Sequence, residues 1–155
     1  MKKLVTLLLA ASVLGFSGCT KFDNAPFRCK INGKPFTASD ALLTVTISGN
    51  DDNFYIQATT NPASDLIGND PYGEIKLDIV VKATGTYPLN LQNTWRWSNN
   101  GQDTYRASGK DPGKVTITEL DYAAKRIKGT FELTAYSDKG ETKTITEGFF
   151  DSKWN

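Results

Sequence analysis

Two patterns of apolar residues divide this chain. From Leu4 to Phe16 apolar positions are nearly continuous and no charge interrupts them. Beyond about Pro26 apolar and polar residues alternate with a period of two, which sends successive side chains to opposite faces of a strand. Phe27, Cys29 and Ile31 share one face, Asn32-Gly33 predicts a type I′ hairpin, and Lys34 to Thr37 is its return strand. Leu43, Val45 and Ile47 alternate with Thr44, Thr46 and Ser48, and Phe54, Ile56 and Ala58 with Tyr55, Gln57 and Thr59. Ile75, Leu77, Ile79 and Val81 form the clearest inward row, opposite Glu74, Lys76 and Asp78. Thr94 to Ser98 turns through Asn99-Asn100-Gly101 toward Thr104 to Ala107. Val115 and Ile117 lead to a turn near Asp121. Ile127, Phe131 and Leu133 then alternate with Lys128, Thr130, Glu132 and Thr134, and a last hairpin through Asp138-Lys139-Gly140 reaches Thr142 to Phe150.

No segment after the apolar leader keeps a helical period. Roughly nine or ten short strands joined by turns predict an all-β fold, an antiparallel β-sandwich, with a small lipocalin-like β-barrel as the alternative. Gly129, inside a strand, marks a bulge or a close backbone approach beneath an aromatic ring, and Gly148 before Phe149 has the same signature. With no internal repeat and no low-complexity linker, residues 27–155 read as one domain.

Composition narrows the chemistry. The 155 residues include no histidine, which removes the usual general base near neutral pH, His-dependent triads and imidazole metal sites. A net charge of +1 gives no basic stripe for nucleic acid.

Lys2 and Lys3 precede the apolar run, which is too short to cross a bilayer as a helix, since that takes about 20 residues. The run ends in Phe16-Ser17-Gly18-Cys19, which resembles the lipobox of bacterial lipoproteins, with Phe where that pattern favours Leu. The resemblance implies cleavage of residues 1–18, lipid on the Cys19 thiol, further acylation of its new amino group, and a tether over residues 19–26. Two or more acyl chains hold a protein stably at a bilayer where one does not. Thr20 after the cysteine implies the outer membrane, on its periplasmic or its outer surface. The competing reading is an ordinary export signal with a chance cysteine, in which case a Cys19–Cys29 bridge becomes conceivable. Cys29, between Phe27 and Ile31, reads as a buried structural thiol.

Five pieces carry a wider resemblance: Ile31-Asn32-Gly33-Lys34-Pro35-Phe36, Gly85-Thr86-Tyr87-Pro88-Leu89, Val115 to Asp121, Ile127 to Leu133, and Ile145-Thr146-Glu147-Gly148-Phe149-Phe150. In that order they are similar to a family of small Bacteroidota outer-membrane lipoproteins. The resemblance implies a lipid anchor and an all-β domain, and it brings no catalytic residue.

Candidate sites remain. Trp95 and Trp97, two apart on one strand face, would form an indole platform for sugar rings, extended by Tyr105 across the turn; the alternative is that these rings fill the core. Asn50-Asp51-Asp52-Asn53 is oxygen-rich yet lacks the spaced calcium-loop pattern, and reads as a turn with no metal. Asp65 and Asp70 lie on a long connection that either closes over a ligand or is plain exposed loop. Glu74, Asp78, Glu132 and Glu147 sit in rows that read as solvated surface, with no pair singled out for glycoside hydrolysis. The expectation is a lipid-anchored, non-enzymatic envelope module without cofactor that binds glycan or peptide. The alternatives are a structural or inhibitory protein docking on a protein partner, and a histidine-free glycoside hydrolase.

Overall fold

The computed structural model describes residues 22–39, 42–48, 52–59, 73–89, 94–97, 103–107 and 112–154, and of residues 94–97 and 103 only the backbone. The leader and Cys19, Asn50-Asp51, the connection bearing Asp65 and Asp70, and the turn at Asn99 to Gly101 lie outside the described residues.

The first hairpin forms where Asn32-Gly33 predicts it, joining β1 (Phe27–Ile31) to β2 (Lys34–Ala38). Its two turn residues have φ of 48° and 79°, the left-handed values a type I′ turn demands. Then come β3 (Leu43–Ser48), β4 (Asn53–Thr59), β5 (Gly73–Val80), β6 (Gly85–Pro88), β7 (Thr94–Trp97), β8 (Asp103–Ala107), β9 (Gly113–Asp121), β10 (Arg126–Ser137) and β11 (Thr142–Lys153). These are eleven strands among the described residues; the one that alternation does not predict is β6, four residues long and ending in Pro88.

All strand pairs are antiparallel, in the order β2-β1-β11-β10-β8-β7-β5-β4-β3. The ladder branches at β10. Its first part, through Leu133, pairs with β9, which carries β6 on its far side, and its last residues, Ala135 to Ser137, pair with β8. Two layers thus share β10 and fold over one core. They meet where Phe54 of β4 packs edge-on against Trp154, at 5.2 Å between ring centroids. The fold is sandwich-like and does not become the alternative barrel: among the described residues β2 and β3 end the ladder without pairing with each other.

The inward rows form a single cluster. Phe27, Phe36, Phe54, Ile56, Ile75, Leu77, Ile127, Ile145 and Phe150 are wholly buried. Each such side chain contributes about 1.5–3 kcal/mol by leaving water. Beneath the rings, β10 and β11 exchange glycine for phenylalanine. Gly129 opposes Phe150 and Phe131 opposes Gly148. A Cβ on Gly129 would lie 2.7 Å from the Phe150 ring and 2.5 Å from the Thr116 carbonyl; one on Gly148 would lie 2.3 Å from the Phe131 carbonyl and 2.6 Å from its ring. Both glycines also flank bulges. The β9–β10 register shifts between Lys128 and Gly129, and β11 carries an extra residue opposite Phe131 to Leu133.

Gly148→Ala and Gly129→Ala should therefore each lower stability by at least about 2 kcal/mol through overpacking against backbone. Gly140→Ala, with φ of 81° and nothing within 4 Å of the new Cβ, should cost only about 1 kcal/mol for its left-handed backbone. Urea unfolding midpoints of the three variants check the ranking.

Candidate functional site

The outer face of the β9–β10–β11–β1 layer carries a row of side chains running straight across the strands. Register places Thr86 opposite Thr116, Thr116 opposite Thr130, Thr130 opposite Phe149, Phe149 opposite Arg28, and Arg28 opposite Thr37. Directly opposed residues share a face and touch. Thr86 and Thr116 share a hydroxyl hydrogen bond of 2.9 Å. The Arg28 guanidinium stacks on the Phe149 ring, 3.8 Å from its centroid, and donates to the Ala25 carbonyl at 3.1 Å. Lys128 approaches the same ring at 5.7 Å.

A groove of about 410 Å³ opens along this row. Its volume falls in the usual range for small-ligand sites, roughly 300–1,000 Å³. Phe22 and Asp23, in the turn before β1, form one wall, and Lys114, Glu132, Glu147 and Gly148 lie around the rest. Two of its carboxylates are paired with lysines: Lys114 Nζ is 3.0 Å from Glu132 Oε1, and Lys30, beside the groove, has its Nζ 2.7 Å from Glu147 Oε1.

The groove owes its form to a bulge. Phe131 pairs with Gly148 and Leu133 with Ile145; Arg28 pairs with Phe149 and Lys30 with Thr146. Against both neighbours β11 is one residue too long, and Glu147 absorbs the excess with φ of 52°. A non-glycine residue held there costs about 1–3 kcal/mol, and such strain concentrates at functional sites. Sequence reasoning placed Glu147 in an ordinary polar row. The available signal was a phase slip: Ile145 and Phe150 are both fully buried yet an odd number of positions apart, which an unbroken strand does not allow.

The other candidates fall elsewhere. Tyr105 is 3% exposed, and its hydroxyl donates to the Glu141 carboxylate. The backbone register sets Trp95 between Ile75 and Tyr105, both buried; the side chains of Trp95 and Trp97 lie outside the described residues. Cys29 is a buried free thiol, and desolvation pushes its pKa far up, so it stays protonated. Asp52 lies 3.4 Å from Lys82, and its carbonyl accepts the Val81 N–H. Glu74 pairs with Lys76 at 3.2 Å. Among the described residues no three acidic, Cys or His groups converge on a metal position.

A second cavity of about 560 Å³ lies between Leu43 to Val45 of β3 and the end of β11 at Asp151 to Lys153. There Arg126 grips Asp151 with two bonds, Nε to Oδ1 at 2.8 Å and Nη2 to Oδ2 at 2.7 Å. The hydrogen bond from Arg126 holds the Asp151 carboxyl below its ordinary pKa of 3.8; partial burial opposes this, and the charges of Arg126 and Lys128 add to it.

A family model described as Domain of unknown function (DUF6252) matches residues 23–152. No curated protein and no solved structure matches the chain.

A carboxylate whose pKa is depressed on folding stabilises the fold above its unfolded value, and that contribution is lost as pH falls through the folded value. The stability difference between the wild type and Asp151→Asn should therefore be largest at neutral pH and shrink toward zero below about pH 4. Paired urea titrations at pH 7 and pH 3 check it.

Proposed function

We propose that this chain, which belongs to the DUF6252 family, is a non-enzymatic binding module of the cell envelope that takes an uncharged, hydroxyl-rich glycan in the outer-face groove. The lysine-paired carboxylates of that groove carry the reading. Each sugar hydroxyl both donates and accepts, so it suits a carboxylate set beside an ammonium, as at Glu132 with Lys114 and Glu147 with Lys30. The Thr116 and Thr130 hydroxyls and the flat Arg28–Phe149 stack complete a surface for a ring edge and face.

Within this reading, the domain is a lipoprotein anchored to the outer membrane by acylated Cys19, on the strength of the lipobox resemblance. Phe22 lines the groove and stands three residues from Cys19, a span of at most about 11 Å of extended chain. A lipid at Cys19 would bring the groove close to the bilayer surface.

Glycoside hydrolysis is a second reading, because Glu132 and Glu147 both line the groove. Binding without turnover is favoured over it, since these side chains are 55% and 57% exposed and each is paired to lysine. A catalytic acid is instead kept from water.

Glycan-array and calorimetric binding should show an uncharged oligosaccharide held by the wild type and lost in Thr130→Arg. That exposed substitution fills the groove and should move stability by no more than about 0.5 kcal/mol. No binding, or binding indifferent to Thr130→Arg, rejects the groove. Release of reducing sugar that disappears in Glu147→Gln would transfer the assignment to a hydrolase.

For the anchor, mass spectrometry of protein extracted from membranes should find a cleaved chain beginning at acylated Cys19, and Cys19→Ser should be released from the membrane fraction. An unmodified thiol at that position would remove the lipoprotein part of the proposal while leaving the groove to be judged by its own binding data.

A further inference from the structure

The hollow on the outer face does not end at Glu132. A smaller cavity of about 160 Å³ lies beyond it, and its walls include Gly113, Glu132, Thr134, Thr144 and Thr146. Glu132 lines both spaces, so they meet at its side chain.

β10 supplies the axis along which they lie. Thr130, Glu132, Thr134 and Tyr136 alternate with buried Phe131, Leu133 and Ala135, so all four side chains point outward. At about 3.4 Å per residue the row from Thr130 to Tyr136 runs for about 20 Å. β11 lies alongside, with Thr144 opposite Thr134 and Thr142 opposite Tyr136, and both of these β11 threonines are exposed. Directly opposed residues share a face, so hydroxyls from two strands continue beyond the groove.

An aromatic ring stands at each end of this row. Phe149, opposite Thr130, carries the Arg28 guanidinium on its face. At the other end Tyr136 is 40% exposed, a flat apolar body with a polar tip. A single sugar would occupy only the larger hollow. A chain of sugars repeats ring faces and hydroxyl edges along its length, which is the order in which this face presents rings and hydroxyls.

We propose that the site is longer than the groove: a linear, uncharged oligosaccharide lies along β10, from the Arg28–Phe149 stack past Glu132 and Thr134 to the Tyr136 ring. This rests on the glycan reading of the groove and specifies its ligand as a chain of several units, with Thr144 and Tyr136 contributing to the far half.

Calorimetry on the full chain in a sugar-free detergent tests it, with linear neutral glucans, xylans and mannans of two to eight units as probes. Affinity for the series that binds should rise with length and level off once the row is filled. Tyr136→Ala and Thr144→Arg should each weaken the longest chain by about tenfold. Both should leave the shortest bound member unchanged, which also shows that these variants are folded, whereas Thr130→Arg should weaken short and long chains alike. Affinity that does not rise with length, or a long chain indifferent to Tyr136→Ala or to Thr144→Arg, overturns the extended path and leaves the groove as a site for one or two units. Binding of none of these chains also overturns it, while the glycan array decides separately whether the groove holds any sugar.

Discussion

The exchange of glycine for phenylalanine between β10 and β11 is the contact on which the rest of the fold depends. Phe150 lies over Gly129 and Phe131 over Gly148, so two bulky rings enter the core where the opposing strand offers no side chain to obstruct them. The Phe131 and Phe150 rings lie 6.3 Å apart, and Phe27 joins them at 5.3 Å from Phe131. Bulges beside both glycines add twist, which lets one long strand run from the β9 side of the first layer to the β8 side of the second. Without that curvature the sheet would be flat and would have no second layer to cover its inner face.

Much of this was legible in the sequence, because period-two alternation is a local signal. The rows Leu43-Val45-Ile47, Phe54-Ile56-Ala58 and Ile75-Leu77-Ile79 point inward because apolar area leaves water that way, whatever their neighbours. The Asn32-Gly33 turn is legible for the same reason: its geometry is set by two residues that tolerate positive φ. Gly129 and Gly148 could be recognised as close approaches, though not which rings would cover them.

The groove was not legible, since it rests on register between distant strands. Nothing local brings Arg28 onto Phe149; that contact exists because β1 pairs with β11, more than a hundred residues away. Trp154 is a similar case. It is in phase with Phe150, four positions earlier, but polar Ser152 interrupts the row, and only the fold shows that it packs against Phe54 and Tyr122. Tyr105 was more readable than its choice as a surface candidate implied, for it alternates with exposed Arg106 and shares a face with buried Ala107.

The strain at Glu147 gains its meaning from the same long-range pairing. A glycine there would adopt the backbone without penalty, so the glutamate must be held by what surrounds it. On one side the core fixes Ile145 and Phe150 inward; on the other Lys30 of β1 pairs with the carboxylate. Both supports require β1 and β11, the first and last strands, to be in place together. Contacts of such separation carry a larger loop-closure cost than those within a hairpin. The groove therefore needs strands from both ends of the domain, which ties any ligand held there to the pairing of β1 with β11.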